Sequence, residues 1–187
     1  MVPGRSLLFL AMQLGNEQRI LELLNNREIN VNVSNERKTT AFMWAVSKCG
    51  AKVVDKMMSF PELDVLVEKQ EGYNAMSIAL GKKDFSTAKK IFIFISNLEF
   101  DNLSENYKTL FMNSIQMFAQ WYVMMPFDKQ EDDEVGAAIF KIVDKLKSFS
   151  SKYLEKIQQI DILFAESKRP NSTVDLTAAI QLSETVK

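Results

Sequence analysis

The stretch Thr40-Ala41-Phe42-Met43-Trp44-Ala45-Val46 decides how this chain is organised, because similar stretches lie at equal distances before it and after it. These counterparts occupy positions 6–12 and 74–80. Each copy opens with a polar residue, has a large apolar residue two places later, and has alanine at the fifth place after the opening. A polar residue before an apolar run is typical of a helix N-terminus. Recurrence at a fixed period of this length is typical of repeat proteins.

A second set of apolar residues recurs in the same register, as Leu23-Leu24, Met57-Met58 and Ile91-Phe92. These pairs predict a second helix in every copy. Between the helix pairs lie two stretches of equal length, 30–39 and 64–73, in which β-branched and polar residues alternate before a polar or glycine-containing tip. This pattern favours a tight hairpin. Each unit is therefore predicted to be a helix, a short turn, a second helix and a hairpin finger.

The repeated unit resembles the ankyrin repeat, and the resemblance covers residues 3–97. It rests on Gly4-Arg5-Ser6 and Gly72-Tyr73-Asn74 at the opening, Gly15 at the turn between helices, and Val31-Asn32 in the finger. The chain lacks the histidine that links neighbouring units in the family, and the positions concerned hold Phe9, Met43 and Ser77. Its loss implies a less regular stack. Tetratricopeptide repeats share the period, but they leave no room for the extended stretches between the helix pairs.

The resemblance implies an all-α fold, namely an ankyrin-like helical solenoid of helix-turn-helix units with short hairpin fingers, capped by additional C-terminal helices. Residues 98–168 are interpreted as a divergent fourth helix pair followed by a capping helix. The helices of this region are predicted, in order, at 107–115, 134–149 and 151–168. In the tail, 169–187, the sequence Ser172-Thr173-Val174-Asp175 favours the start of a short final helix, which we expect to dock on the domain.

The composition excludes several kinds of chemistry. The 187 residues include no histidine and one cysteine, so a Ser-His-Asp triad, a Cys-His pair, a histidine-ligated metal and a multi-cysteine zinc site are excluded. Cys49 has no histidine base and stands at a predicted helix end, so we interpret it as a structural thiol. The carboxylates at 131–134 are interpreted as favourable charges at a helix start. We expect no enzymatic activity, no cofactor and no metal.

The expected partner is another protein. In ankyrin proteins the finger tips and the ends of the first helices form a concave face that grips partners, so the resemblance implies a non-enzymatic interaction module. Arg37 and Tyr73 are of the kind that anchors interfaces. The residues carried over as partner-binding are Arg5, Gln13, Leu14, Glu36, Arg37, Thr39, Ser47, Lys48, Gln70, Glu71, Tyr73 and Lys82. The alternative hypothesis is a regulator or inhibitor that engages a partner enzyme through its C-terminal half, by the Met-rich run 117–127 or by the last helix.

The setting is predicted from charge and hydropathy. A formal net charge of −1 gives no reason to bind nucleic acid or a membrane. The apolar stretches are too short to span a bilayer, and the start of the chain does not resemble a secretory signal. We expect a cytoplasmic monomer. One biological setting is a small pathogen effector delivered into a host cell, where it would act on a host protein.

Overall fold

The computed structural model describes residues 7–69, 72–99, 102–123 and 133–147, together with 158, 159 and 162. The described part of the chain is all-α, which confirms the predicted class. Its helices are α1 (Leu7–Leu14), α2 (Glu17–Leu23), α3 (Ala41–Lys48), α4 (Ala51–Met58), α5 (Ala75–Gly81), α6 (Phe85–Ser96), α7 (Glu105–Val123) and α8 (Asp133–Lys147). Among the residues described, no helix combines the length and apolar character needed to cross a membrane.

The first six helices keep the period of the sequence. The helices α1, α3 and α5 begin at positions 7, 41 and 75, and α2, α4 and α6 follow at the same interval, from positions 17, 51 and 85. Capping residues explain this regularity, since the side chains of Thr40 and Asn74 accept hydrogen bonds from the third residue of their helices. Asn16 and Asp84 do the same for α2 and α6. Such caps satisfy backbone N–H groups that the helix itself leaves without partners.

The helices pack first within pairs and then between pairs. Within pairs, α1 packs on α2, α3 on α4 and α5 on α6; between pairs, α3 contacts both α1 and α5, and α4 contacts both α2 and α6. Small side chains make this close packing possible, because Ala11, Ala45 and Ala79 are all buried. Large apolar residues such as Phe42 and Met57 fill the space between the helices and are also buried. The core therefore follows the repeated positions of the sequence.

The two finger stretches form tight turns. In the first, the Asn35 amide donates to the Thr39 carbonyl at 3.1 Å, and Ser34 and Thr40 form an isolated antiparallel bridge. In the second, the Lys69 amide donates to the Tyr73 carbonyl at 2.9 Å. Each turn needs one residue in the left-handed region, which is Lys38 in the first and Gly72 in the second, at φ of 58° and 75°. Glycine adopts this conformation freely, whereas lysine does so at a cost.

The chain divides into two compact units, Met1–Ser114 and Ile115–Lys187, and the boundary falls within α7. In the second unit the ring of Phe118 stacks on Tyr122 with centroids 5.9 Å apart. The predicted helix 107–115 lies within α7, which extends further at both ends, and the predicted helix 134–149 overlaps α8 up to Lys147, its last two positions lying outside the described residues. Of the predicted capping helix, 151–168, only three residues are described, and the tail, 169–187, lies outside the described residues.

Candidate partner-binding surface

The predicted partner-binding residues fall at helix ends and turns. Gln13 and Leu14 lie exposed at the end of α1, and Ser47 and Lys48 form the end of α3. The first turn carries Glu36, Arg37 and Thr39, the second carries Tyr73, and Lys82 follows α5 directly. The remaining predicted residues, Arg5, Gln70 and Glu71, lie outside the described residues.

The first turn is held by the side chain of Asn35. Its Oδ1 accepts hydrogen bonds from the Arg37 amide at 3.0 Å and from the Thr39 amide at 2.9 Å. Glu36 and Arg37 are exposed at the tip, while Thr39 is half-buried. Sequence reasoning missed Asn35, although asparagine before a polar tip is a known signal for such a turn. The turn therefore presents Arg37 from a fixed backbone.

The second turn presents Tyr73, whose surface is 53% exposed. The Lys69 ammonium lies 5.0 Å from the centroid of the Tyr73 ring, which is the geometry of a cation–π contact. The turn is closed by the Gly72 amide, which donates to the Lys69 carbonyl at 2.9 Å. The neighbouring Glu68 is half-buried, and burial raises the pKa of its carboxyl group. The exposed Tyr73 ring thus lies beside Lys69, a residue that was not among the predicted partner-binding residues.

Lys82 links two helix pairs as well as reaching the surface. Its Nζ donates to the backbone carbonyls of Val46 and Ser47, both at 3.0 Å. These carbonyls lie in the last turn of α3, where a helix leaves acceptors unsatisfied and where its dipole favours a positive charge. The contact therefore stabilises the end of α3 from the following pair. Any role in partner binding comes in addition to this structural one.

At the start of α4, a carboxylate from the preceding helix pair accepts a backbone hydrogen bond. Gly50 precedes this helix and has no side chain to cap it, and Oε1 of Glu17 accepts the hydrogen bond from the Gly50 amide. Glu17 belongs to the preceding pair, at the first position of α2. Glu17 and Lys82 therefore link neighbouring helix pairs through hydrogen bonds. The sequence analysis considered only the missing histidine as a link between pairs, so it did not predict these two contacts.

Cys49 is half-buried and lies within electrostatic reach of both charges. Burial raises the pKa of its thiol, the Glu17 carboxylate raises it further, and the Lys82 ammonium opposes them. Its Sγ lies 3.9 Å from the sulfur of Met12. A raised pKa keeps the sulfur protonated and poorly nucleophilic at neutral pH. This environment supports the interpretation of Cys49 as a structural thiol.

Further polar contacts join the fingers to neighbouring elements. Asn32 donates through Nδ2 to the Glu62 carbonyl at 2.6 Å and accepts from the Asp64 amide at 2.8 Å. The Tyr107 hydroxyl donates to Asp64 at 2.6 Å, and this bond raises the pKa of Tyr107 to about 12, with smaller contributions from burial and from the charge of Asp64. Asp64 thereby connects the start of the second finger stretch to α7. These bonds fix the backbone from which the exposed tips project.

An open groove of about 330 Å³ lies between α4 and α6, and none of the residues that line it is a predicted partner-binding residue. Lys90 and Asp55, which both line the groove, form an ion pair. Its lining residues are Asp55, Met58, Ser59, Lys90, Ile93, Phe94 and Asn97. Within the part of the chain that the structure describes, no group of three His, Cys, Asp or Glu residues is placed to hold a metal ion.

Comparisons with protein-family models, with curated proteins and with solved structures found no match for this chain. The resemblance to ankyrin repeats therefore stays a prediction from the sequence. Trp44, the other conspicuous aromatic residue of this region, packs edge-on against Phe9 with centroids 6.4 Å apart. It thus belongs to the packing between α3 and α1 rather than to an exposed site.

Proposed function

We propose that this chain is a non-enzymatic protein-binding module built on an ankyrin-like stack of helix pairs. The equal spacing of α1 to α6 and the packing of each pair on the next support the stack. The tight turns between pairs, with a left-handed residue near the tip of each, support the fingers. A single helix pair cannot bury its apolar face, so neighbouring pairs are expected to act as one scaffold.

The observation that carries the proposal is the presentation of Arg37 and Tyr73. Both are exposed, and they occupy two turns of the same kind whose backbones are closed by hydrogen bonds. Because the backbones of these turns are already ordered, binding carries no cost for ordering the loops themselves, which favours affinity. Tyrosine and arginine also contribute more than other residues to the energy of protein interfaces. The proposed surface therefore presents both side chains from backbones that are ordered before a partner arrives.

The proposal of a binding role is also supported by the chemistry of the described residues. Cys49 is kept as a thiol, and the chain supplies no histidine to activate it. The polar residues of the turns bond mainly to backbone groups, as Asn35 does, and this is the behaviour of a scaffold. The same reasoning leaves Lys82 with a structural role that must be separated from binding in any experiment.

Affinity capture with mass spectrometry tests this proposal. The wild-type chain is compared with Arg37→Ala/Tyr73→Ala, which changes only exposed turn residues, and with Lys52→Ala, a control at an exposed position of α4. A partner held by the wild type and the control, but lost by the double variant, supports the proposed surface. A partner held equally by all three chains refutes it, and points to residues 98–187 as the binding region. Lys82→Ala is measured separately, with its unfolding curve, because of its contact with α3.

A further inference from the structure

The groove between α4 and α6 exposes apolar side chains of both helices. Its apolar lining residues, Met58, Ile93 and Phe94, are all half-buried. They stay partly uncovered because α4 contacts α6 less extensively than α3 contacts α5. The first helices of these two pairs therefore close on each other, whereas the second helices leave an open space between them.

The two helices that form the groove are basic. Together they carry four lysines and one carboxylate, a formal charge of +3, although the whole chain has a formal net charge of −1. Lys52, Lys56 and Lys89 each lie one helical turn before a residue that lines the groove. The fourth lysine, Lys90, lines the groove and forms the ion pair with Asp55, the single carboxylate. The groove therefore combines an apolar lining with an excess of positive charge along its helices.

We propose that this groove binds an acidic amphipathic helix of a partner protein. The carboxylates of such a helix complement the lysines of α4 and α6, while its apolar side chains enter the groove beside Met58 and Phe94. Methionine suits this use, because its flexible side chain adapts to different neighbours. Opposite charges also accelerate the encounter of the two proteins and make the binding sensitive to salt.

The size and the walls of the groove favour a helix over other occupants. A volume of about 330 Å³ is near the lower end of the range for ligand pockets, about 300–1,000 Å³, and it has room for one or two large side chains. A pocket for a small molecule encloses most of its ligand, which an open groove does not. An extended peptide gains affinity from a free backbone edge, but the walls of this groove are helices, whose backbone groups are bonded to each other. A helix satisfies its own backbone groups and needs side-chain contacts alone.

The groove is separate from the turns that present Arg37 and Tyr73. Neither residue lines the groove, and none of the four lysines belongs to either turn. The groove is therefore a second binding surface, which does not depend on the proposed function of the turns.

Fluorescence anisotropy with three labelled synthetic peptides tests the proposal on the full chain. The first peptide has about 16 residues, with leucine and phenylalanine at intervals of three and four positions, and glutamate and alanine elsewhere. The second has the same composition in a scrambled order, without an apolar stripe, and the third has lysine in place of glutamate. The wild type is expected to bind the first peptide alone, and its affinity should fall as salt rises from about 0.05 to 0.3 M.

Charge reversal assigns the binding to the groove. Lys56→Glu/Lys89→Glu should raise the dissociation constant of the glutamate peptide by about tenfold or more and should gain affinity for the lysine peptide. Lys38→Glu, the same reversal at the exposed tip of the first turn, should bind as the wild type does. Circular dichroism verifies the fold of each variant. Lys56→Gln/Lys89→Gln, a milder change, should weaken binding in the same direction.

Four results overturn the proposal. The first is a glutamate peptide that does not bind the wild type, and the second is a scrambled peptide that binds equally well. The third is a glutamate peptide that binds Lys56→Glu/Lys89→Glu as tightly as the wild type. The fourth is a single-stranded oligonucleotide that binds more tightly than the glutamate peptide and is released by the same reversal, which assigns the surface to nucleic acid. None of them bears on the capture of a partner by Arg37 and Tyr73, because every variant retains both residues.

Discussion

Asn74 performs two tasks at once, and its replacement by alanine provides the sharpest test of the packing between the helix pairs and α7. Its side chain caps α5, where Oδ1 accepts from the Ser77 amide at 2.9 Å and the Ser77 hydroxyl accepts from the Asn74 amide at 3.0 Å. Its Nδ2 donates to the hydroxyl of Ser114 at 3.1 Å. Asn74 and Ser114 are both fully buried. Asn74 therefore joins a helix cap to a hydrogen bond between elements far apart in the chain.

The cost of Asn74→Ala follows from these two contacts. Loss of an N-terminal cap costs about 1 kcal/mol. The buried hydroxyl of Ser114 loses its partner, which adds about 1–3 kcal/mol. We therefore expect the free energy of unfolding to fall by about 2–4 kcal/mol. Thr40 is the matched control, because it caps α3 in the same register through a bond of 3.1 Å from the Met43 amide. Thr40→Ala loses a cap alone and should cost about 1 kcal/mol.

Equilibrium unfolding in urea measures both variants. A double-mutant cycle with Ser114→Ala isolates the bond between the two side chains, because contacting residues give non-additive costs. The cost of Asn74→Ala/Ser114→Ala should be no larger than that of Asn74→Ala alone, because the double variant leaves no buried hydroxyl without a partner. If Asn74→Ala costs no more than Thr40→Ala, or if the two changes are additive, the Asn74–Ser114 bond contributes no stability and the reasoning is refuted.

Three other predictions concern packing and titration. Ala45→Leu should lower the free energy of unfolding by about 1–3 kcal/mol, because the larger side chain separates packed helices. Ala51→Leu, at an exposed position of α4, should change the free energy of unfolding little. Equal costs for the two variants would contradict the close packing around Ala45. Glu17→Gln should lower the pKa of Cys49, so thiol alkylation at mildly alkaline pH becomes faster than in the wild type, and an unchanged or slower rate would count against it. Tyr107 has a pKa raised to about 12 in the folded chain, from an ordinary value of 10.0. The unfolded chain therefore loses that proton first, and the stabilisation is complete below pH 10 and is lost between about pH 10 and 12. Tyr107→Phe should show a shallower loss of stability than the wild type over this interval in pH-dependent unfolding, and identical profiles would contradict the role of its bond.

The repeated elements could be predicted from the sequence because their signals are local. Polar caps and apolar pairs that recur at a constant interval determine where α1 to α6 begin. The turn at Gly72 was similarly predictable, since glycine marks a left-handed residue. The equivalent role of Lys38 was not, because lysine gives no such signal and adopts that conformation only when the surrounding bonds require it.

Contacts between pairs could not be predicted, because they depend on how one layer lies on the next. Lys82 looked like an exposed surface residue, yet it binds carbonyls of α3. Glu17 caps a helix that belongs to the next pair along the chain. Leu10 has the same apolar character as a core residue, and only the packing of α1 reveals that its side of the helix is open. Side-chain partners distant in sequence leave no pattern that a single sequence can show.

The links made by Glu17 and Lys82 have a consequence for how the chain gains and loses structure. A helix pair whose ends are completed by its neighbour is unfinished when it stands alone, so the boundary of a pair does not mark the boundary of a folding unit. Both links complete helix ends of the second pair, so deleting the first pair would also strip a bond from the start of α4, and deleting the third would strip bonds from the end of α3. Melting is therefore expected to spread from pair to pair, with no partly unfolded species in which one pair survives. The same coupling makes the number of pairs difficult to change by duplication or loss, since every new junction would need its own carboxylate or ammonium group at the right helix end.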